Sequence, residues 1–249
     1  MIRNLMNIEI NKTKLHRGVI GIICDGMFPA NSGQFRVSTA REGFPKQEYI
    51  LEDSHTTYWY PLTNGNGEYD VRVIEVRDNL FRRIREEKII LNMRDPNDVF
   101  LQSNVYIPWK STMKCVVFAR GIVQGCTGPD EKLDVIWKYI AENYSYNDKL
   151  AERIKEKSLE YEYIPALDNI FSMKKDICFG LTSLFLAMLR CNGVHGKMLH
   201  GYINQSFVYH AWSEVLIGGK WQTVDITRDI HHKSRAIRSA RDYTVRFVY

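Results

Sequence analysis

The chain has 249 residues, 45% of them hydrophobic and 25% charged, with a formal net charge of +5. That apolar content fills one large core or two modest ones, as in a globular protein, and the small, scattered positive excess argues against a nucleic-acid partner. No run approaches the ~18 to 20 apolar residues of a membrane span, and MIRNLMNIEINKTKL lacks the apolar region of a secretory signal, so the expected location is the cytoplasm.

Residues 15 to about 120 read as β-structure. RGVIGIIC, GQFRVST, KQEYILE, TTYWYPL, EYDVRVIEV, EKIILNM and KCVVFAR are short apolar or alternating runs between turn residues, with NGNG at 64–67 as the clearest turn. An all-β domain over 1–124, built as a sandwich or barrel-like sheet, is expected. Gly18, Gly21, Gly26 and Gly33 lack a following helix signal and read as turns and bulges, not as a phosphate cradle.

The period changes after GCTGPD. EKLDVIWKYIAENY puts Leu133, Ile136, Trp137 and Ile140 on one helical stripe, and DKLAERIKEKSLEYEY continues as a charged helix or helix plus loop until Pro165. KKDICFGLTSLFLAMLRCNG then reads as an amphipathic helix, with Ser172 or Asp176 as cap and Asn192-Gly193 as stop. Three strands follow: KMLHGYI, SFVYHAWSEVLI and, after a Gly-Gly turn, KWQTVDITRD. The basic residues Arg228, Lys233, Arg235, Arg238, Arg241 and Arg246 read as a solvated face. Residues 125–249 are thus a second domain, and the whole is α+β.

Cys24, Cys115, Cys126, Cys178 and Cys191 are odd in number, widely spaced and without a CxxC pair, so free thiols are expected. His195, His200, His231 and His232 show no ligand spacing; no metal and no cofactor is expected. Cys178 stands apart because it opens a helix. There the unpaired N–H groups and the positive end of the macrodipole favour a thiolate. Position alone leaves it either a nucleophile or a small core residue.

A nucleophilic cysteine needs a histidine to take its proton and a polar group to hold that ring. If Gly218-Gly219 makes a two-residue hairpin turn, Ile217 faces Lys220, Trp212 faces Asp225 and His210 faces Thr227. His210 and Asp225 then lie diagonally on one face, their Cα atoms ~7 to 8 Å apart, while a slip of one residue would part them. Trp212, Glu214 and Trp221 share that face and read as packing and rim.

A cysteine at a helix start, then a histidine on a strand and an aspartate on the next, resembles the transglutaminase-like superfamily of papain-type cysteine enzymes. DICFGLTSLFLAMLRCNGVHGKMLHGY is similar to its cysteine block, YHAWSEVLIGGKW to its histidine block and VDITRD to its aspartate block. PDEKLDVIWKYIAENYSYN is similar to the helix ahead of the core in bacterial members. The resemblance covers roughly 125–230. Two departures stand out: Asp176 where the family usually has glycine, and Ile226 where it usually has proline.

The resemblance implies a Cys178-His210-Asp225 triad that works through a thioester on a peptide or protein substrate. Water completing the reaction gives an amide or peptide hydrolase, the reading favoured here; an amine gives an acyltransferase, and an inactive binding module is the third alternative. Trp212, Tyr209, Phe179 and Tyr146 are the expected cleft residues, and Tyr146, Tyr144 and Asn104 are candidates for a second oxyanion donor.

Overall fold

The computed structural model describes residues 7–25, 28, 32–51, 57–78, 80–156, 163–236 and 238–249. It divides into two compact units, Met1–Val105 and Tyr106–Tyr249. In the first, β1 (Asn7–Asn11), β2 (Val19–Asp25) and β5 (Tyr58–Pro61) form one sheet in the order β1-β2-β5. The second sheet is ordered β4-β3-β6-β7, from β3 (Gln34–Ala40), β4 (Gln47–Ile50), β6 (Gly67–Arg77) and β7 (Leu80–Leu91). Every pairing is antiparallel.

Tyr49 on β4 donates to the Pro61 carbonyl at 2.8 Å, and Tyr60 on β5 donates to the Ile50 carbonyl at 3.2 Å. Each buried hydroxyl thereby meets a carbonyl of the other sheet. Apart from KCVVFAR, the expected strands are present. KQEYILE is described through Leu51, Gly26 lies outside the described residues, and β1 and the charged first half of β7 are additions.

KCVVFAR is a correction. It forms the helix α1 (Lys114–Ile122) in the second unit, burying Cys115, Val116 and Ala119 on one side. Asp168 accepts the first-turn N–H groups of Lys114 and Cys115 at 3.2 and 3.1 Å. Tertiary capping and packing override the strand preference of a short β-branched run.

The second unit continues with α2 (Pro129–Asn143), the short strand β8 (Ser145–Tyr146), α3 (Asp148–Glu156), α4 (Leu167–Met173) and the short strand β9 (Lys175–Asp176), which pairs parallel to β8. Next come α5 (Cys178–Arg190), β10 (Gly196–Ile203), β11 (Val208–Ile217), β12 (Lys220–Val224), α6 (Ile226–His232) and β13 (Tyr243–Val248). The four long strands make an antiparallel sheet in the order β12-β11-β10-β13.

The expectation of an amphipathic α5 is corrected. Every residue from Phe179 to Arg190 is buried, because α1, α2, α4, α6 and the sheet surround it. Its few polar groups are satisfied: Thr182 Oγ1 donates to the Ala211 carbonyl at 3.2 Å and Ser183 Oγ to the Tyr106 carbonyl at 2.6 Å. The Arg190 guanidinium donates to the Gly196 and Tyr249 carbonyls, and burial lowers its pKa to about 9. Ser172 does not cap the helix; its hydroxyl donates back to the Asp168 carbonyl within α4.

The basic face is solvated at Lys233, Arg235, Arg241 and Arg246, and Arg238 is the exception. The Arg238 side chain is buried against Asp229 at 2.6 Å, Arg235 pairs with Asp134, and Trp137 Nε1 donates to Asp229 Oδ2 at 2.8 Å. Asp229, fully buried, thereby ties α6 to α2. Among the described residues no helix is long and apolar enough to cross a membrane.

Gly201 lies at a bulge between β10 and β13, where an added Cβ would stand 1.9 Å from the Thr244 carbonyl oxygen. Gly201→Ala is therefore expected to cost about 3 kcal/mol and to lower the melting temperature by roughly 6–12 °C, read by thermal unfolding. An unchanged melting point would contradict this packing.

Candidate active site

The hairpin register is the one the Gly-Gly turn requires: Ile217 faces Lys220, Leu216 faces Trp221 and Ser213 faces Val224, with Gly218 and Gly219 both at positive φ. The ladder stops there. KWQTVDITRD is not one strand, and Trp212 does not pair with Asp225 nor His210 with Thr227. Asp225 is the N-cap of α6, its Oδ1 accepting the Arg228 N–H at 3.1 Å, and Thr227 lies in that helix. Aspartate competes well for the unpaired N–H groups of a helix start, which ends the strand at Val224.

From this cap Asp225 still reaches His210. His210 Nε2 lies 2.9 Å from Asp225 Oδ2, and Tyr243 Oη donates to the same oxygen at 2.9 Å. The carboxylate is fully buried and carries three hydrogen bonds. Burial alone would raise its pKa; His210, the Arg228 N–H and Tyr243 outweigh that and hold it below the usual range.

The same ring is the hydrogen-bond and charge partner of the Cys178 thiol. Burial pushes the His210 pKa down, but Asp225 and Cys178 push it up to about 10. Burial likewise pushes the Cys178 thiol up, and it is overcome by His210 and by the Ala211 N–H, which leaves the thiol below its ordinary value. The pair therefore favours thiolate and imidazolium, and it titrates as a unit. Cys178 as a residue is partly exposed.

The Tyr146 hydroxyl, from β8, meets both the thiol and the backbone N–H of Cys178. Its pKa is raised, first by burial and then by the thiol. Tyr144 instead accepts from Lys174 Nζ at 3.1 Å, and Asn104 belongs to the first unit. Lys174 Nζ lies 4.0 to 4.7 Å from the ring centroids of Phe171, Tyr139 and Tyr144, an aromatic enclosure that anchors the chain four residues before the thiol.

Phe179 is buried edge-on to His200 at 4.5 Å, and Tyr209 lies on the same side of the sheet, 6.1 Å from His200. Burial, and next the charge of His210, lowers the His200 pKa to about 3, so the ring is neutral. Trp212 packs behind the site, stacked on Tyr243 at 4.5 Å and nearly parallel to His210. Glu214 pairs with Lys197 at 3.5 Å, and the Lys197 ammonium lies over Trp221 at 3.7 Å. None of the five cysteines is in a disulfide.

Sequence reasoning missed Tyr243 and Tyr163. Tyr243 comes from β13, 18 residues beyond Asp225, and no local spacing announces it. Tyr163 Oη donates to both oxygens of Asp176 at 2.7 and 2.8 Å. A buried carboxylate must find a donor, but nothing in the local sequence names Tyr163 as that donor.

Residues 117–226 match the family model described as the transglutaminase-like superfamily. A candidate cysteine protease of Cytophaga hutchinsonii is similar in structure at 15% identity and a TM-score of 0.48, over 90% of this chain and 84% of that one. A TGase is similar at 19% identity and a TM-score of 0.38, over 51% of this chain and 33% of that one. Red sea bream transglutaminase is similar at 9% identity and a TM-score of 0.31, over 90% of this chain and 53% of that one. The chain thus spans a third to about half of the length of these two transglutaminases. No curated protein matches it in sequence.

Proposed function

We propose that the transglutaminase-like core carried by residues 117–226 uses Cys178, His210 and Asp225 to hydrolyse an amide or peptide bond through a thioester. One observation carries this reading: a single imidazole joins the thiol of a partly exposed cysteine at a helix start to a buried, triply hydrogen-bonded carboxylate.

In this reading the Cys178 thiolate adds to the substrate carbonyl, and the negative charge passes to the carbonyl oxygen. The Cys178 N–H and the Tyr146 hydroxyl, which meet beside the sulfur, are the donors at hand for that oxygen. The His210 imidazolium gives its proton to the leaving nitrogen, the C–N bond breaks and an acyl thioester remains. Neutral His210 then takes a proton from water as its oxygen attacks the thioester, and the acid departs from a thiolate facing an imidazolium again. Asp225 and Tyr243 hold the ring throughout.

An amine in place of water would give acyl transfer by the same residues. The deciding measurement screens peptide and glutamine donors with and without a millimolar primary amine, comparing wild type with Cys178→Ala. Free acid should dominate and change little when the amine is added. Acyl groups ending mainly on the amine would replace hydrolysis by transfer, and a Cys178→Ala variant as active as wild type would remove both.

A further inference from the structure

The chemistry above leaves one buried acid next to the nucleophile without a task. Asp176 is 6% exposed and sits two residues before Cys178. Its carboxylate accepts Tyr163 Oη on both oxygens and the Ile177 N–H on Oδ1 at 2.7 Å. Its own carbonyl accepts the Asn147 N–H at 3.0 Å, and its bridge partner across β8 and β9 is Tyr146. One residue thus joins the start of α5, the Tyr163 ring and the strand that carries Tyr146.

Tyr146 borders the thiol, and Tyr163 packs edge-on against the next residue, Phe179, at 5.8 Å. Burial, then Asp176, then Cys178 raise the Tyr163 pKa, so its hydroxyl, bound to the acid, also feels the charge of the thiol. The first turn of α5 leaves room for this carboxylate at Gly180. A Cβ there would lie 2.2 Å from Asp176 Oδ1 and 2.5 Å from its Cγ. The carboxylate therefore occupies a fitted seat, where burial raises its pKa against the lowering pull of the Tyr163 hydroxyl and the Ile177 N–H.

We propose that Asp176 is a positioning residue for Cys178: seated in the gap at Gly180, it fixes the first turn of α5 and the Tyr163 ring so that the thiol meets His210. This rests on the reading of Cys178 as nucleophile. Charge and seat act in opposite directions. A nearby anion by itself disfavours a thiolate, whereas the geometry it maintains favours the thiolate through His210. Removing only the charge and removing the seat must therefore give different signs.

The test is the pH dependence of Cys178 alkylation by iodoacetamide in the full chain, followed by the mass of its peptide so that the other four cysteines do not interfere. In wild type the midpoint should fall below the ~8.5 of an ordinary thiol. Asp176→Asn keeps one oxygen for Ile177 and Tyr163 and loses the charge, so its midpoint should hold or fall. Asp176→Ala should raise it by about one pH unit, and Tyr163→Phe should raise it by less. Gly180→Ala should reproduce Asp176→Ala, yet add little in an Asp176→Gly background.

A midpoint that falls in Asp176→Ala would show the carboxylate to be only an unfavourable charge, and one that stays put in Asp176→Ala, Tyr163→Phe and Gly180→Ala would show no positioning; either overturns the proposal. If Asp176→Ala does not fold, Tyr163→Phe, which deletes a single hydroxyl, decides. A wild-type midpoint at the ordinary thiol value removes the nucleophile reading itself, an outcome distinct from a low wild-type midpoint that Asp176 does not influence.

Discussion

Cys178→Ala is expected to leave no measurable acyl transfer, and His210→Ala to lower kcat by roughly 10³ to 10⁴. The first removes the atom that carries the acyl group, the second the group that shuttles its proton. Asp225→Asn should be milder, a loss of about 10² to 10⁴, because nucleophile and base both survive. Its origin is visible in the hydrogen bonds. Asp225 accepts from Arg228 on one oxygen and from His210 and Tyr243 on the other. An amide has one acceptor oxygen, so it abandons either the helix cap or the ring. Steady-state kinetics on an amide donor, with thermal melting as a control for folding, measures the series. The three losses should not add, since each disables the same unit. A Cys178→Ala variant that retained turnover would overturn the triad.

The second large effect is on stability across pH. His210 has its folded pKa raised to about 10, so its contribution is complete below the unfolded value of ~6.5 and is lost as the pH rises through 10. Cys178 has its folded pKa lowered, so its contribution is complete above the unfolded value of ~8.5 and is lost as the pH falls through the folded one. Above ~6.5 and above the folded Cys178 value, and up to ~8.5, the two slopes cancel, each at most ~1.4 kcal/mol per pH unit. The folded pair and the unfolded pair then hold one proton alike. Wild type should therefore show a stability plateau over that range and a decline towards pH 10. Cys178→Ala removes the compensating slope, so its decline should begin near pH 6.5. Asp225, with its pKa held down, adds stability that disappears on acidification below its ordinary range in both proteins. Denaturant unfolding at a series of pH values gives the comparison. Parallel curves for the two proteins would mean that thiol and imidazole do not share a proton.

Much of this site could be read from the sequence because the hairpin is short. A Gly-Gly turn fixes the register of β11 and β12, and with it which side of the sheet His210 occupies. The helix-start thiol follows from a long apolar run between turn residues. What could not be read depends on partners distant in the chain. Asp225 leaves the strand because the N–H groups of α6 compete for its carboxylate, and nothing in VDITRD marks that switch. The strand preference of KCVVFAR yields to Asp168, more than fifty residues away. The apparent amphipathicity of α5 counted its small and polar residues as an exposed face, whereas Gly180, Thr182 and Ser183 are close-packing positions and Arg190 is buried on carbonyls. Tyr243, Tyr163 and the Asp229 junction with Trp137 and Arg238 are likewise long-range bonds without a local signature.

The enclosure of α5 bears on the timescale on which the site can fail. Amide exchange in a helix wrapped on every side needs the surrounding elements to part first, so the N–H groups from Leu184 to Leu189 should exchange with deuterium only through opening of the whole second unit. Cys178 is attached to the end of that slowest segment. The helix offers no low-energy fraying by which the Cys178 thiol could loosen while the fold persists, and thermal inactivation should follow the same rate as the release of these amides.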